Sequence, residues 1–195
     1  MTIQHLIDHL NKYVPLSKEE AKYLRVHLPV KTFDKGDYLL RQGTVSNAFF
    51  YIIKGCVRLF YEVGEEERTA FFYTETQFVS SYESFTRQVP ARHNVQCIEE
   101  TTVAIVPHDQ TYKIPENFPK FEVISRILQE EELIIYQNII ASFITLSPEQ
   151  RYLKLLEEQP ELFQRIPQHH LATYIGVKAE SLSRIRKRIL DKRFS

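Results

Sequence analysis

Seven cationic side chains crowd the last eighteen residues: Lys178, Arg184, Arg186, Lys187, Arg188, Lys192 and Arg193, opposed only by Glu180 and Asp191. The segment carries a net +5 in a chain whose formal net charge is zero, so the remaining residues sum to −5. A local basic element on an otherwise acidic chain fits a polyanion contact; the plainer alternative is a solvated helix face. The order of the residues sharpens the chemistry. Leu182, Ile185 and Ile189 recur at i, i+3 and i+7, one face of a helix, and leave Glu180, Ser181, Arg184 and Arg188 opposite. Arg184 can place two parallel hydrogen bonds on guanine N7 and O6, Glu180 can accept from the cytosine amino group, and Ser181 can bond either kind of edge. Lys178, Arg186, Lys187 and Arg188 suit phosphate oxygens, which supply affinity without sequence information.

A reading helix needs a second helix crossing close beneath it. Just upstream, Leu171, Ile175 and Val177 supply apolar positions, Ala172 a small residue for the crossing, and Gly176 a residue able to take positive φ in the turn. Residues 166–190 therefore read as a helix-turn-helix, with the second helix over 179–189. Ahead of it, Ser147-Pro148-Glu149-Gln150 combines an N-cap serine, proline in the first helical position and glutamine at N3. Tyr152, Leu155 and Leu156 form that helix's core side, Pro160 ends it and Pro167 opens the next.

The rest of the chain divides by pattern. Residues 1–29 read as helical, with a capping box from Ser17 to Glu20 and a stop at Pro29. Residues 31–107 are rich in Phe, Tyr, Val, Ile and Thr and are punctuated by glycine turns. Short runs at 38–41, 49–53, 56–61, 69–73, 94–97 and 102–106 predict an all-β barrel or sandwich. Residues 117–145 return to helix, capped by Asn117 with Pro119 in the first turn. Phe121, Ile124, Leu128, Ile135 and Ile139 lie on one broad face, widened by Ile127, Ile134 and Ile140. A helix so apolar needs two surfaces to pack against: the barrel and a second copy of itself, the alternative being burial wholly within the monomer. The expected class is α+β, in three parts: residues 1–116, 117–145 and 146–195.

Composition excludes several classes. With 43% hydrophobic and 26% charged residues, nine Pro and five Gly, the chain is neither disordered nor fibrous. Cys56 and Cys97 form no CxxC pair, which implies reduced thiols. The first residues lack a signal-peptide pattern, and no apolar run reaches the roughly 18–20 residues of a membrane span, so a cytoplasmic location and no membrane partner are expected.

The pattern Leu171-Ala172, Ile175-Gly176-Val177, Glu180-Ser181-Leu182-Ser183-Arg184-Ile185-Arg186 resembles the helix-turn-helix of the cyclic-AMP receptor protein/Fnr superfamily of bacterial regulators. Residues 35–43 and 50–58 are similar to the opening of its cyclic-nucleotide-binding jelly roll, so the resemblance runs through nearly the whole chain in the right order. It implies an N-terminal jelly-roll barrel (a double-stranded β-helix), a long dimerisation helix and a C-terminal reading head. It also implies a homodimer on double-stranded DNA, with RNA polymerase as a further partner of an activator. By the same resemblance Glu180 and Arg184 match base-contacting positions, with Ser181 contributing.

Several positions depart from the family pattern. Aligned on Phe78 and Phe85, the cassette's Gly-Glu positions are Ser80-Ser81 and its Arg-Ser positions Ala91-Arg92, so the ribose-binding carboxylate and the phosphate-binding arginine are missing from their places. No cyclic-AMP binding is expected. Any other small effector would be lined by Ser80, Ser81, Tyr82 and Arg92, with Gln137 and Asn138 of the long helix. An Fnr-type iron–sulfur cluster needs about four cysteines, and a haem would have only His93, His108, Cys56 and Cys97 to draw on, so no cofactor and no metal are expected. Lys178 stands where a capping Ser or Thr is usual, leaving the helix start weakly held until DNA satisfies it. About five residues follow Leu190, so the wing is expected to be reduced.

Two other classes compete. A cupin-like metalloenzyme would need clustered histidines and a carboxylate, whereas the barrel has only His93 and His108, and His169-His170 point to different sides of a helix. A small-molecule-binding jelly roll that had lost DNA binding would not need the basic helix.

Overall fold

A computed structural model gives the fold, with residues 2–193 described. The N-terminal segment forms two helices, α1 (Gln4–Leu10) and α2 (Lys18–His27). Strands β1 (Val30–Phe33), β2 (Tyr38–Leu40), β3 (Ala48–Lys54), β4 (Val57–Val63), β5 (Glu66–Tyr73) and β6 (Phe78–Val79) follow, then α3 (Tyr82–Arg87), β7 (Asn94–Cys97) and β8 (Thr101–Pro107). The rest is helical: α4 (Gln110–Asn117), α5 (Lys120–Thr145), α6 (Pro148–Glu158), α7 (Leu162–Arg165), α8 (Gln168–Ile175) and α9 (Ala179–Arg193).

The strands make two four-stranded sheets, ordered β1-β8-β3-β6 and β2-β7-β4-β5. All six expected strands are present. β1 and β6 were not anticipated, for physical reasons. β1 is mostly exposed and shows no apolar alternation; it is defined by its pairing with β8, Val30 opposite Ala104. β6 has two residues, held by Phe50 and Tyr51 of β3. The turn from β3 to β4 requires glycine: Gly55 has φ +110°, and a Cβ there would lie 2.7 Å from Thr101 Cα.

Two compact units result. One takes Met1–Leu59 and Phe72–Glu132. Its core joins Leu6, Ile7 and Leu10 of α1 and Leu24 of α2 to Tyr51 and Ile53 of β3, Ala104 of β8, Ile114 of α4, and Phe121 and Ile124 of α5. Strand alternation turns Ile52 and Val103 the other way, and they are fully buried too, so this sheet is covered on both faces. Ser17 and Glu20 close the expected capping box at α2. Glu20 also meets Lys120 Nζ at 3.0 Å. Burial pushes the Glu20 carboxyl up, but the Ser17 and Lys120 contacts outweigh it and hold the group below its ordinary pKa.

The other unit takes Phe60–Phe71 and Leu133–Ser195, that is, the end of β4, most of β5, the second half of α5, and α6 to α9. Within it Thr173 donates to the Thr69 hydroxyl at 2.9 Å, and Phe71 stands edge-on to Tyr136.

The long helix starts later than expected and ends at the expected residue, Thr145. Asn117 does not cap it: Asn117 closes α4, where its side-chain amide donates to the Lys113 carbonyl, and α5 begins at Lys120 beyond Pro119. Only Phe121 and Ile124 of α5 are buried, whereas Leu133, Ile134, Ile140 and Ile144 are 57%, 56%, 59% and 78% exposed. The apolar face is covered over its first third and bare over its second half.

Candidate nucleic-acid interface

The helix-turn-helix is built on α6, α8 and α9. Ser147 and Gln150 complete the capping box of α6, with Pro148 at its first position. Tyr152 and Leu155 of α6, Leu162 of α7, Leu171, Ala172 and Ile175 of α8, and Leu182, Ile185 and Ile189 of α9 are all buried. Leu162 aside, this is the inner set expected, except that Leu156 and Val177 are only partly covered. α8 ends on Gly176 at φ +83°, with the Val177 amide bonded to the Ala172 carbonyl. A Cβ on Gly176 would stand 3.0 Å from Phe143 Cε1. Gly176→Ala combines that contact with a left-handed backbone and is expected to cost about 1–2 kcal/mol; thermal or denaturant unfolding measures it.

α9 runs to Arg193, four residues past the expected end at 189. Its first turn is anchored by the Lys178 carbonyl, which accepts from the amides of Ser181 and Leu182. Glu180, Ser183, Arg184, Lys187 and Arg188 are exposed, whereas Ser181 and Arg186 are half-buried. Arg184 donates to the Ser181 hydroxyl at 3.2 Å, which pre-orients the guanidinium along the outer face. Arg188 pairs with Glu149 of α6 at 2.7 Å. An open cleft between the start of α6 and α9 is lined by Ser147, Glu149, Ser181, Arg184 and Arg188. Phosphate would thus meet an arginine already holding a carboxylate. The pair is not legible in the sequence, because its members lie 39 positions apart.

The candidate effector residues do not share one environment. The Ser80 hydroxyl is engaged internally, with Ser46 Oγ and the Ala48 carbonyl both at 3.0 Å. Ser81 is buried, and Ser84 Oγ accepts from the Ser46 amide. Tyr82 is 52% exposed, and Arg92 reaches outward to Glu83 at 3.6 Å with 78% of its side chain exposed. Ala91, in the cassette's arginine position, is buried and tied by backbone bonds to Gly43 and Thr44. Gln137 and Asn138 are exposed on α5. Burial raises the Cys97 thiol to about 11, and it lowers His93. Among the described residues no three His, Cys, Asp or Glu side chains are grouped to hold a metal ion, and no helix is long and apolar enough to cross a membrane.

Residues 30–118 match the family model of the cyclic nucleotide-binding domain. Among curated proteins none matches. Solved structures are similar along nearly the whole chain. A double mutant of CooA from Carboxydothermus hydrogenoformans, 16% identical, aligns over 98% of this chain and 85% of its own with a TM-score of 0.71. The c-di-GMP-responsive global regulator CLP of Xanthomonas campestris, also 16% identical, aligns over 90% and 93% with a TM-score of 0.72. The Thermus thermophilus catabolite activator protein, 18% identical, aligns over 94% and 87% with a TM-score of 0.56. Residues 30–118 therefore match the cyclic nucleotide-binding domain family, and the chain shares its fold with these solved structures.

Proposed function

We propose that this protein is a DNA-binding transcription regulator that acts as a homodimer through α5 and reads a pseudo-palindromic operator with α9. The half-sites lie about one helical turn, roughly 34 Å, apart. The observation that carries the reading is the polarity of α9: Leu182, Ile185 and Ile189 are buried while Glu180, Arg184, Lys187 and Arg188 are exposed. Glu180, Ser181 and Arg184 read bases; Lys178, Arg186, Lys187 and Arg188 meet phosphates. In this proposal residues 1–116 form a sensor barrel with its N-terminal helices, 117–145 the dimerisation segment and 146–195 the DNA-binding segment. The protein works in the cytoplasm, with no enzymatic step of its own and with RNA polymerase as a partner where it activates.

The barrel in this reading does not take cyclic AMP. A cyclic phosphate needs an inward cation, whereas Arg92 is paired outward with Glu83 and Ala91 fills the buried position. A different small effector, touching Ser80, Ser81, Tyr82 and Arg92, remains within the proposal.

Electrophoretic mobility shift with double-stranded genomic fragments at 50 and 200 mM salt tests the function. Eight proposed phosphate-contacting side chains per dimer predict an affinity loss of about ten-thousandfold between the two, and added cyclic AMP leaves the shift unchanged. Absence of any salt-sensitive complex sinks the regulator reading.

A further inference from the structure

Arg151, on the second turn of α6, touches three segments of its unit with one guanidinium. Nη1 donates to the Leu146 carbonyl at 2.6 Å, just past the end of α5. Nε donates to the Ile175 carbonyl at 2.9 Å, on the last residue of α8. The guanidinium carbon lies 4.6 Å from the centre of the Phe143 ring on α5. Both carbonyls stand at helix C-terminal ends, where no intrahelical N–H is left to serve them. The Phe143 ring is also the group a Cβ on Gly176 would strike. Arg151, Phe143 and the bare Gly176 backbone thus form one joint between the end of α5, the start of α6 and the turn that launches α9.

We propose that Arg151 is a positioning residue that fixes the reading helix against the second half of α5 and thereby sets the half-site spacing the dimer accepts. The proposal rests on the DNA-binding, α5-dimer reading above. The covalent link from α5 to α6 is only Leu146 and Ser147, and although Thr173 of α8 is tied to Thr69 of β5, that bond does not reach the end of α5. Arg151 spans it in two directions, with a flat face on the aromatic ring. Lysine, a point charge on a flexible stem, cannot reproduce both bonds and the stacking. Adding one base pair between half-sites moves one of them about 3.4 Å along the duplex and turns it by about 34–36°. Two heads rigidly joined to a shared α5 pair engage both half-sites at one spacing. Heads on loose hinges reach several spacings, each at a lower effective concentration.

The test uses the full chain and an operator selected from random duplexes by the wild type. Binding is measured to that operator, to versions with the spacer changed by one and two base pairs, and to a single half-site. Arg151→Gln is expected to weaken the best operator about tenfold while changing the altered spacings and the half-site by less than about twofold, so the spacing preference flattens. Arg151→Lys should fall between wild type and Arg151→Gln, and Phe143→Leu should act in the same direction with smaller effect. Without DNA, amide exchange at Leu146, Gly176 and Val177 should accelerate in Arg151→Gln while residues 182–189 stay protected. Equal loss on all the duplexes together with faster exchange at 182–189 overturns the proposal, since Arg151 would then only hold the head's own fold. A spacing preference intact in Arg151→Gln overturns it as well, and unchanged exchange at Leu146, Gly176 and Val177 removes the joint independently of DNA. A wild type that binds no duplex overturns the regulator reading and this assignment with it.

Discussion

If the protein is the DNA-binding dimer proposed above, replacing Ile140 with glutamate is expected to leave it monomeric and to weaken binding to a two-half-site operator by about a hundredfold or more, the avidity of two joined heads. Leu133, Gln137, Ile140 and Ile144 follow one another at spacings of four, three and four, the alternation of a coiled-coil seam. All four are exposed in the single chain. Burying a large aliphatic side chain is worth about 1.5–3 kcal/mol, so a few such residues from each copy give the seam its drive. Gln137 sits among them as a polar seam residue of the kind that fixes register at some cost in stability. A glutamate at 140 would place two like charges across the seam. Because Ile140 is exposed in the monomer, the fold itself should change by no more than about 0.5 kcal/mol. Sedimentation or light scattering reads the mass, and a single half-site should still bind. A variant that stays dimeric would show that the copies meet elsewhere.

The second large effect is at Arg184. Arg184→Ala should cost about 1–3 kcal/mol at one guanine position of each half-site and relax the preference there, leaving the other positions as selective as before. Lys187→Ala should instead weaken all sequences alike, lowering the salt slope by about 1 per head. The two variants differ in kind, so competition against single-base operator variants at fixed salt separates them. If Arg184→Ala lowered affinity uniformly, Arg184 would be a phosphate contact and the base-reading role would pass to other residues of the face.

What could be read in the sequence was what short-range chemistry decides. The capping boxes at Ser17–Glu20 and Ser147–Gln150 are closed within three residues, and both are formed. The pairing of small Ala172 with a left-handed Gly176 is equally local, as is the apolar repeat of α9. β1 and β6 were not legible because tertiary pairing, not pattern, makes them strands. α4 and α7 are short, and Asn117 proved a helix end rather than a start. In the reading head the residue types were visible but their partners were not. Nothing local says that Arg151 will reach the Ile175 carbonyl, 24 positions on, or that Arg188 will find Glu149. Arg58 shows the same limit: a charged residue in an apolar run, 1% exposed in β4, it bonds to Gln96.

The pair of Arg188 with Glu149 alters how the protein should register salt. Mobile ions leave DNA when cations arrive, and the slope of affinity against salt counts them. Arg188 arrives already neutralised by a counterion that the chain carries itself, fixed 2.7 Å away. Handing Arg188 to a phosphate exchanges one carboxylate for another anion and leaves Glu149 facing the duplex. A count of cations on the surface therefore overstates the ions released, and in the proposed complex each head should behave as though one of its four proposed phosphate contacts had been discharged in advance.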